Sequence, residues 1–353
     1  MIDFKDITVV VQGAVLPELT PMCLQSVRHK LPGAGIILST WEGTDVSGLD
    51  CDTVILNKDP GAVAPMYSAD KNLGNKPNNI NRQIVSTKAG LEKVMTKYAL
   101  KLRTDFEIRE TGFLQHFDKY PKSGNEMKIF SHRIVTVLGD KPAQKMFFPY
   151  DFISFGLAKD MLLLWDIPLQ TKTDAEWFLS HRPVNEEMYK FIQGNFRYIP
   201  EQHIWLSCLS KKFPQVYETI EDCSDVTEEG VKLTEQSFAN NLICLDFKQY
   251  GIHPLKDSLF WLYGKKIFHV QTYEEWLSLY QKYCDPDFKM PLRYCYEELL
   301  QISRYKEKFY KHRYALAEKK KLKKKLGEGL KCFSYSLLIF LKSLTRLHKL
   351  IFR

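Results

Sequence analysis

The chain is 353 residues long, 44% hydrophobic and 13% aromatic, enough apolar material for one large α/β domain with an appendage or for two modest domains, and too much for a disordered protein. Its net charge of +8 is unevenly spread: residues 303–353 hold 16 Lys/Arg against 3 Asp/Glu, a local +13, so residues 1–302 carry −5. A basic tail on a mildly acidic body points to anionic lipid or nucleic acid as the partner of the tail rather than of the body.

The eight cysteines show no C-x-x-C pair and no spacing typical of a zinc site or a disulfide framework, which suits buried thiols in reduced protein. The N-terminal "MIDFKDITVVVQG" lacks a basic region before a short apolar run, so no secretory signal is expected and the body is placed in the cytoplasm.

The first element, "ITVVVQ" (7–12), is a continuous β-branched run ending at Gly13, the pattern of a strand buried on both faces of a parallel sheet. A helix is expected over 17–30, strands over 35–40 ("GIILST") and 52–57 ("DTVILN"), then a Gly/Asn/Pro-rich loop at 71–79, and a helix from about 80 to 97. That helix delivers the chain to "YALKLRTDFEI" (98–108), whose apolar start reads as another buried strand. This alternation predicts a mostly parallel open sheet, in which ligands bind outside the carboxyl ends of the strands. Those ends are Gln12-Gly13, Thr40-Trp41-Glu42, Asp59-Pro60-Gly61 and Arg103-Thr104-Asp105. Further on, 145–165 reads as a strand bent at Pro149 and, after Gly156, a helix. Residues 195–212 read as a strand followed by an amphipathic helix with Pro200 at its first position. Residues 256–302 are aromatic-rich and expected to be helical.

The tail differs in kind. A basic helix is expected over 304–326, interrupted by "GEG" at 327–329. The last segment carries Phe333, Leu337, Phe340, Leu344, Leu347 and Ile351 on one face, and Lys331, Lys342, Arg346, Lys349 and Arg353 on the other. Its longest uncharged run, Cys332 to Leu341, is about half of the ~20 residues a spanning helix needs, so it is expected to lie in an interface.

Several side chains admit a bland and a functional reading. Asp105 makes a salt bridge or a turn, or it ligates Mg²⁺ or Mn²⁺ that also grips a diphosphate, for which one protein carboxylate suffices. Asn78 and Asn79 precede a helix and suit its cap; Arg82 in the first turn, with free backbone N–H groups, also suits a phosphate. Glu201 favours the helix dipole, or deprotonates a sugar hydroxyl. His203 ligates a metal or caps and packs, packing being the commoner fate. Asp151 faces acceptor hydroxyls or satisfies backbone donors at the bend. No P-loop, G-x-S-x-G, H-E-x-x-H or G-x-G-x-x-G in a βαβ setting is present, which argues against a P-loop enzyme, an α/β-hydrolase, a zincin and a dinucleotide oxidoreductase.

"VVVQGAV", "IILSTWEG", "DPGA", "NNINRQIVSTKAGL" and "YALKLRTD", in that order, with the later "DFISFG" and "PEQHIW", resemble the bacterial WavE lipopolysaccharide synthesis family over about residues 5–210. The resemblance implies a GT-A-like nucleotide-sugar-binding fold, expected over 1–255; from the patterns above, a helical extension is expected over 256–302 and a basic, amphipathic, membrane-associating tail over 303–353. It implies a metal-assisted hexosyltransferase-type glycosyltransferase that moves a sugar from a nucleotide-sugar to a lipopolysaccharide or lipooligosaccharide core or related surface glycan. In such folds the Arg103-Thr104-Asp105 step takes the place of the metal-binding D-x-D, and Arg103 is a departure from it. Implied site residues are Glu201 as first-choice base and Asp151 as second, Asp105 with His203 for Mn²⁺ or Mg²⁺, Arg82, Arg103 and Asn79 for phosphate, and Thr40, Trp41, Gln12 and Gly13 at the nucleoside. The tail would hold the protein on the anionic cytoplasmic face of the inner membrane; nucleic acid is not an expected partner. The alternatives are a sugar nucleotidyltransferase, a non-enzymatic nucleic-acid- or membrane-binding protein with a Lys-rich arm, and an inactive scaffold.

Overall fold

A computed structural model describes residues 2–63, 65–66, 76–137, 139–181, 196–256, 270–290 and 330–341. The basic helix expected over 304–326, the C-terminal residues 342–353, and parts of the 71–79 loop and of 256–302 lie outside the described residues.

The strands are β1 Ile7–Gln12, β2 Gly35–Trp41, β3 Thr53–Asn57, β4 Pro65–Met66, β5 Lys76–Pro77, β6 Tyr98–Arg103, β7 Phe106–Ile108, β8 Ile134–Val137, β9 Ile153–Leu157, β10 Leu242–Leu245 and β11 Ile252–Pro254. The helices are α1 Leu19–Lys30, α2 Ile80–Leu91, α3 Gly112–His116, α4 Ala158–Trp165, α5 Lys172–Ala175, α6 Trp177–His181, α7 Pro200–Ser210, α8 Glu228–Asn241, α9 Phe247–Tyr250, α10 Tyr273–Tyr283 and α11 over 330–341.

Seven strands form one sheet in the order β10-β8-β9-β6-β1-β2-β3. β6, β1, β2 and β3 are mutually parallel, β8 and β10 pair in parallel, and β9 runs antiparallel between β6 and β8. The mixed α/β architecture with a mostly parallel central sheet therefore follows the sequence expectation. All six residues of β1 are buried, which is why this strand reads as an unbroken apolar run rather than an alternating one.

From β1 the chain order runs outward to β2 and β3, then returns through α2 to β6 on the other flank of β1. The carboxyl ends of β1 and β6 thus bound the topological switch point, where open α/β sheets bind ligands. Their register sets Gln12 opposite Arg103, and Gln12 opposite Ser39 of β2.

α2 rests on β1 and β2 and touches α4. Its C-terminal half sits close because Gly90 has no side chain: a Cβ there would come within 2.3 Å of Val10 Cγ1. The helix ends at Leu91 rather than near 97. Lys93 and Val94 N–H groups turn back to Gly90 and Leu91 carbonyls in three-residue steps, and the chain needs that tight turn to enter β6 at Tyr98. The strand expected before Pro200 is not found among the described residues 196–199. Its backbone groups pair elsewhere instead: Arg197 N–H donates to Asp174 O, Cys223 N–H to Arg197 O, and Gln170 Nε2 to Tyr198 O at 2.8 Å.

A two-stranded ribbon, β7 with β11, crosses the end of β6 and pairs Phe106 with Pro254 in antiparallel register. α10 packs on α8 and β10. No helix among the described residues is long and apolar enough to cross a membrane. In α11 Cys332, Tyr335 and Ile339 are half-buried, while Leu330, Phe333, Leu337, Phe340 and Leu341 are exposed.

Gly90→Ala is expected to destabilise the protein by on the order of 1 kcal/mol, because overpacking against Val10 costs about 1–3 kcal/mol and exceeds the roughly 1 kcal/mol gain in helix propensity. A urea midpoint at or above that of the parent would contradict the tight α2–β1 contact.

Candidate active site

The strand ends at the switch point border a cleft of about 500 Å³, lined by residues that include Gln12, Gly13, Trp41, Asp59, Asn79, Arg82, Arg103, Thr104, Asp105 and Lys256. Its floor is held by main chain. Gly13 has φ +122°, a backbone state that glycine tolerates and a side chain would strain, and a Cβ there would lie 3.3 Å from Thr104 Oγ1. Thr104 N–H donates to Gln12 O, and its hydroxyl donates to Ala14 O at 2.8 Å. The Ser86 hydroxyl donates to Gln12 Oε1 at 2.9 Å, tying α2 to the strand end.

Asp105 is nearly inaccessible to solvent at 2% exposure. Arg103 donates to it twice, Nε to Oδ1 at 2.9 Å and Nη2 to Oδ2 at 2.6 Å, and Lys256 Nζ lies 2.9 Å from Oδ2. Burial alone would raise the Asp105 carboxyl; the charges of Arg103 and Lys256 outweigh it and hold the group below the ordinary carboxylate value. The Arg103 guanidinium also lies 5.6 Å from the Phe106 ring and 5.5 Å from the Phe152 ring, which fixes its plane. Lys256 arrives through the β7–β11 ribbon, with Leu255 N–H bonded to Asp105 O at 2.8 Å.

At the opposite rim Arg82 forms a bidentate pair with Asp59, at 2.8 and 2.7 Å, and its Nη1 donates to Asn79 Oδ1 at 2.8 Å. Asn79 therefore stands at the N-cap position of α2 without capping it. Asn78 does that work, accepting from Ile80 N–H at 3.1 Å.

A second chamber of about 220 Å³ adjoins the first and shares Asn79, Gln83 and Arg103 with it; Asp151, Phe152 and Glu201 line its far side. Pro200 opens α7 and Glu201 follows in its first turn. Burial, and then the nearby Asp151 charge, push the Glu201 carboxyl up to about 8. Beneath the chamber runs Lys101, fully buried in β6. Its ammonium donates to the Asp151 carbonyl and sits 4.8 Å from the Trp165 ring; burial pushes it down to about 7. Gln83 Nε2 bonds the same carbonyl at 3.3 Å.

The structure thus gathers Gln12, Gly13, Trp41, Asn79, Arg82, Arg103 and Asp105 around one cleft, with Asp151 and Glu201 in the chamber beside it. Two expected residues stand apart. Thr40 is buried inside the sheet. His203 bonds Pro168 O through Nε2 at 2.9 Å and lines neither chamber. Lys256 was not expected, since "PLKDS" has no local feature that marks it.

The family model of WavE lipopolysaccharide synthesis matches residues 7–310, which includes every residue of both chambers. The chain belongs to the WavE lipopolysaccharide synthesis family. No curated protein matches it. Among solved structures, the crystal structure of HddC from Yersinia pseudotuberculosis is similar at 9% identity with a TM-score of 0.25, over 47% of this chain and 80% of that one.

Whether this WavE protein's cleft suits a divalent metal depends on its oxygen donors. Among the described residues its carboxylates are Asp59 and Asp105, and each already holds an arginine through both oxygens. No group of three or more His, Cys, Asp or Glu that could hold a metal is found among the described residues. A hard cation needs oxygen ligands not already committed to cations, so the donor set as arranged does not fit one.

A carboxyl raised by burial lowers stability as pH increases. Between about pH 4.3, where the unfolded chain ionises, and about 8 the native protein holds one more proton than the unfolded one. Denaturation midpoints of Glu201→Gln and the parent should coincide near pH 4 and separate above it. The variant should gain relative to the parent by up to roughly 1.4 kcal/mol per pH unit; parallel curves across that range would contradict the burial of this carboxyl.

Proposed function

We propose that this WavE protein is a glycosyltransferase of lipopolysaccharide assembly with a GT-A-like fold over residues 1–255, binding a nucleotide-sugar across the carboxyl ends of β1 and β6 and passing the sugar to a hydroxyl of a glycolipid or oligosaccharide acceptor. The observation that carries this reading is the junction at Arg103. A cleft rimmed by Arg82, Arg103 and Lys256 opens there onto a chamber lined by Glu201 and Asp151. The first suits an anionic diphosphate, the second a neutral sugar and a base.

In this reading the nucleoside lies towards Trp41, where Gly13 lets it approach the backbone, and the diphosphate lies over Arg103. The scissile bond is placed at the mouth of the second chamber. Fixed positive groups beside the departing phosphate stabilise charge that appears only as the bond breaks, which lowers the barrier rather than merely tightening binding. Glu201 takes the acceptor proton, and Asp151 shares its electrostatic field. A carboxyl near 8 is a stronger base than an ordinary one, and its ionised fraction grows with pH.

The tail places the protein at the membrane in the same reading. The exposed Phe333, Leu337 and Phe340 of α11, within a segment of local charge +13, suit an anionic bilayer surface: apolar side chains enter the interface while lysines meet the headgroups. A lipid-linked acceptor at the cytoplasmic face of the inner membrane would then be within reach.

Calorimetric titration with UDP-, GDP-, dTDP- and CMP-sugars is expected to find one donor class that binds. Glu201→Gln should keep that binding and lose at least about 10²-fold in transfer to core-oligosaccharide acceptors. Transfer by the parent should climb as pH rises towards about 8. A variant that transfers normally, or a rate that falls over that range, would remove Glu201 from the chemistry. For the tail, sedimentation with anionic vesicles should bring down the parent, and the double variant Phe333→Glu/Leu337→Glu should stay in the supernatant; equal sedimentation of both would rule out an apolar contribution from α11.

A further inference from the structure

We infer that this cleft neutralises the diphosphate of its ligand with side-chain cations alone: Arg103 and Lys256, both held on Asp105, stand where a divalent metal would otherwise be needed. The inference rests on the nucleotide-sugar reading above and narrows it to metal-independent transfer.

The oxygen inventory supports it. Asp105 Oδ1 accepts from Arg103 Nε, and Oδ2 accepts from Arg103 Nη2 and faces Lys256 Nζ. Asp59 Oδ1 accepts from Arg82 Nε and Gly61 N–H, and Oδ2 accepts from Arg82 Nη2. Among the described residues, every carboxylate oxygen bordering the cleft thus serves a cation. A divalent ion on Asp105 would have to displace both basic groups or sit a few ångströms from them, where like charges repel strongly.

The basic groups, by contrast, retain unused donors. Arg103 spends Nε and Nη2 on Asp105, leaving the Nη1 N–H groups for a ligand. The Lys256 ammonium has three N–H bonds and one carboxylate oxygen to serve, and its side chain is 40% exposed. Among the described residues, Arg82, Arg103 and Lys256 against Asp59 and Asp105 give the cleft a surplus of one positive charge before the ligand arrives. Asp105 acts here as a positioning residue: it fixes the guanidinium plane and draws Lys256 to the same place, so that little rearrangement accompanies the developing charge. As the bond from the anomeric carbon to the β-phosphate oxygen breaks, its electron pair stays on that oxygen beside Arg103 and Lys256. The acceptor oxygen forms the new bond to the anomeric carbon, and its proton passes to Glu201.

The test is calorimetric titration of the full chain with UDP, GDP, dTDP and CDP, in EDTA and again in Mn²⁺ or Mg²⁺, with Lys256→Ala and Lys256→Arg beside the parent. The expected result is that one nucleoside diphosphate binds in EDTA within about threefold of its affinity in metal. Lys256→Ala should weaken that binding about tenfold or more, Lys256→Arg should recover most of it, and the matching monophosphate should respond less. Binding that appears only with metal would overturn the inference while leaving the nucleotide-sugar reading in place. Unchanged affinity in Lys256→Ala, with the fold confirmed by thermal melting, would overturn it as well. No binding of any nucleotide under either condition would overturn the nucleotide-sugar reading, and the inference with it.

Discussion

The Asp105 carboxylate, removed from water and enclosed by Arg103 and Lys256, is the interaction on which the candidate site depends. A buried carboxylate without partners would cost several kcal/mol, so the two cations are a condition of its being there at all. In return Asp105 links two stretches of chain, the end of β6 and the segment after β11. Its side chain orders Arg103 at the end of β6, its carbonyl receives Leu255 N–H, and its second oxygen faces Lys256 beyond β11. The cleft's positive groups are therefore held at fixed points rather than left on mobile surface stems, which is the difference between a solvated basic patch and a preorganised anion site.

That arrangement stands on a backbone feature, the parallel pairing of β1 with β6. The register sets Gln12 against Arg103, and Gly13 lets Thr104 close over the strand end without a Cβ between them. α2 packs on β1 where Gly90 omits a side chain and carries Arg82 and Asn79 to the rim. Sheet register, a close helix contact and one glycine at positive φ together place residues from β1, β2, β6 and α2, and from the loops after β3 and β11, around one opening.

Across Arg103 the electrostatic character reverses. One chamber is rimmed by basic groups, and the other holds Asp151 and Glu201 over a buried Lys101 that bonds the Asp151 carbonyl. A carboxyl pushed to about 8 lowers the stability of the native state at neutral pH, the usual sign of a group kept for chemistry rather than for folding. Asp52, by contrast, is paired with Arg28 at 2.7 Å, whereas Glu201 has the charge of Asp151 beside it.

The amino-acid sequence determined the parallel half of the sheet, because strands buried on both faces are largely apolar, and β1, β2 and β6 announce themselves by that pattern even though β6 buries Lys101. It also marked the polar strand ends and Glu201 behind Pro200, since capping and strand-end chemistry are local. It could not reveal β8, β10 or the β7–β11 ribbon, whose short runs carry no distinctive period, nor the missing strand before Pro200, whose backbone partners come from 170–174 and 223. Tertiary structure alone decided what Asp105 is bonded to. Arg103 two residues away was visible, but Lys256 reaches it only because β11 pairs with β7, and a contact across some 150 residues is fixed by packing and register, which local spacing does not encode.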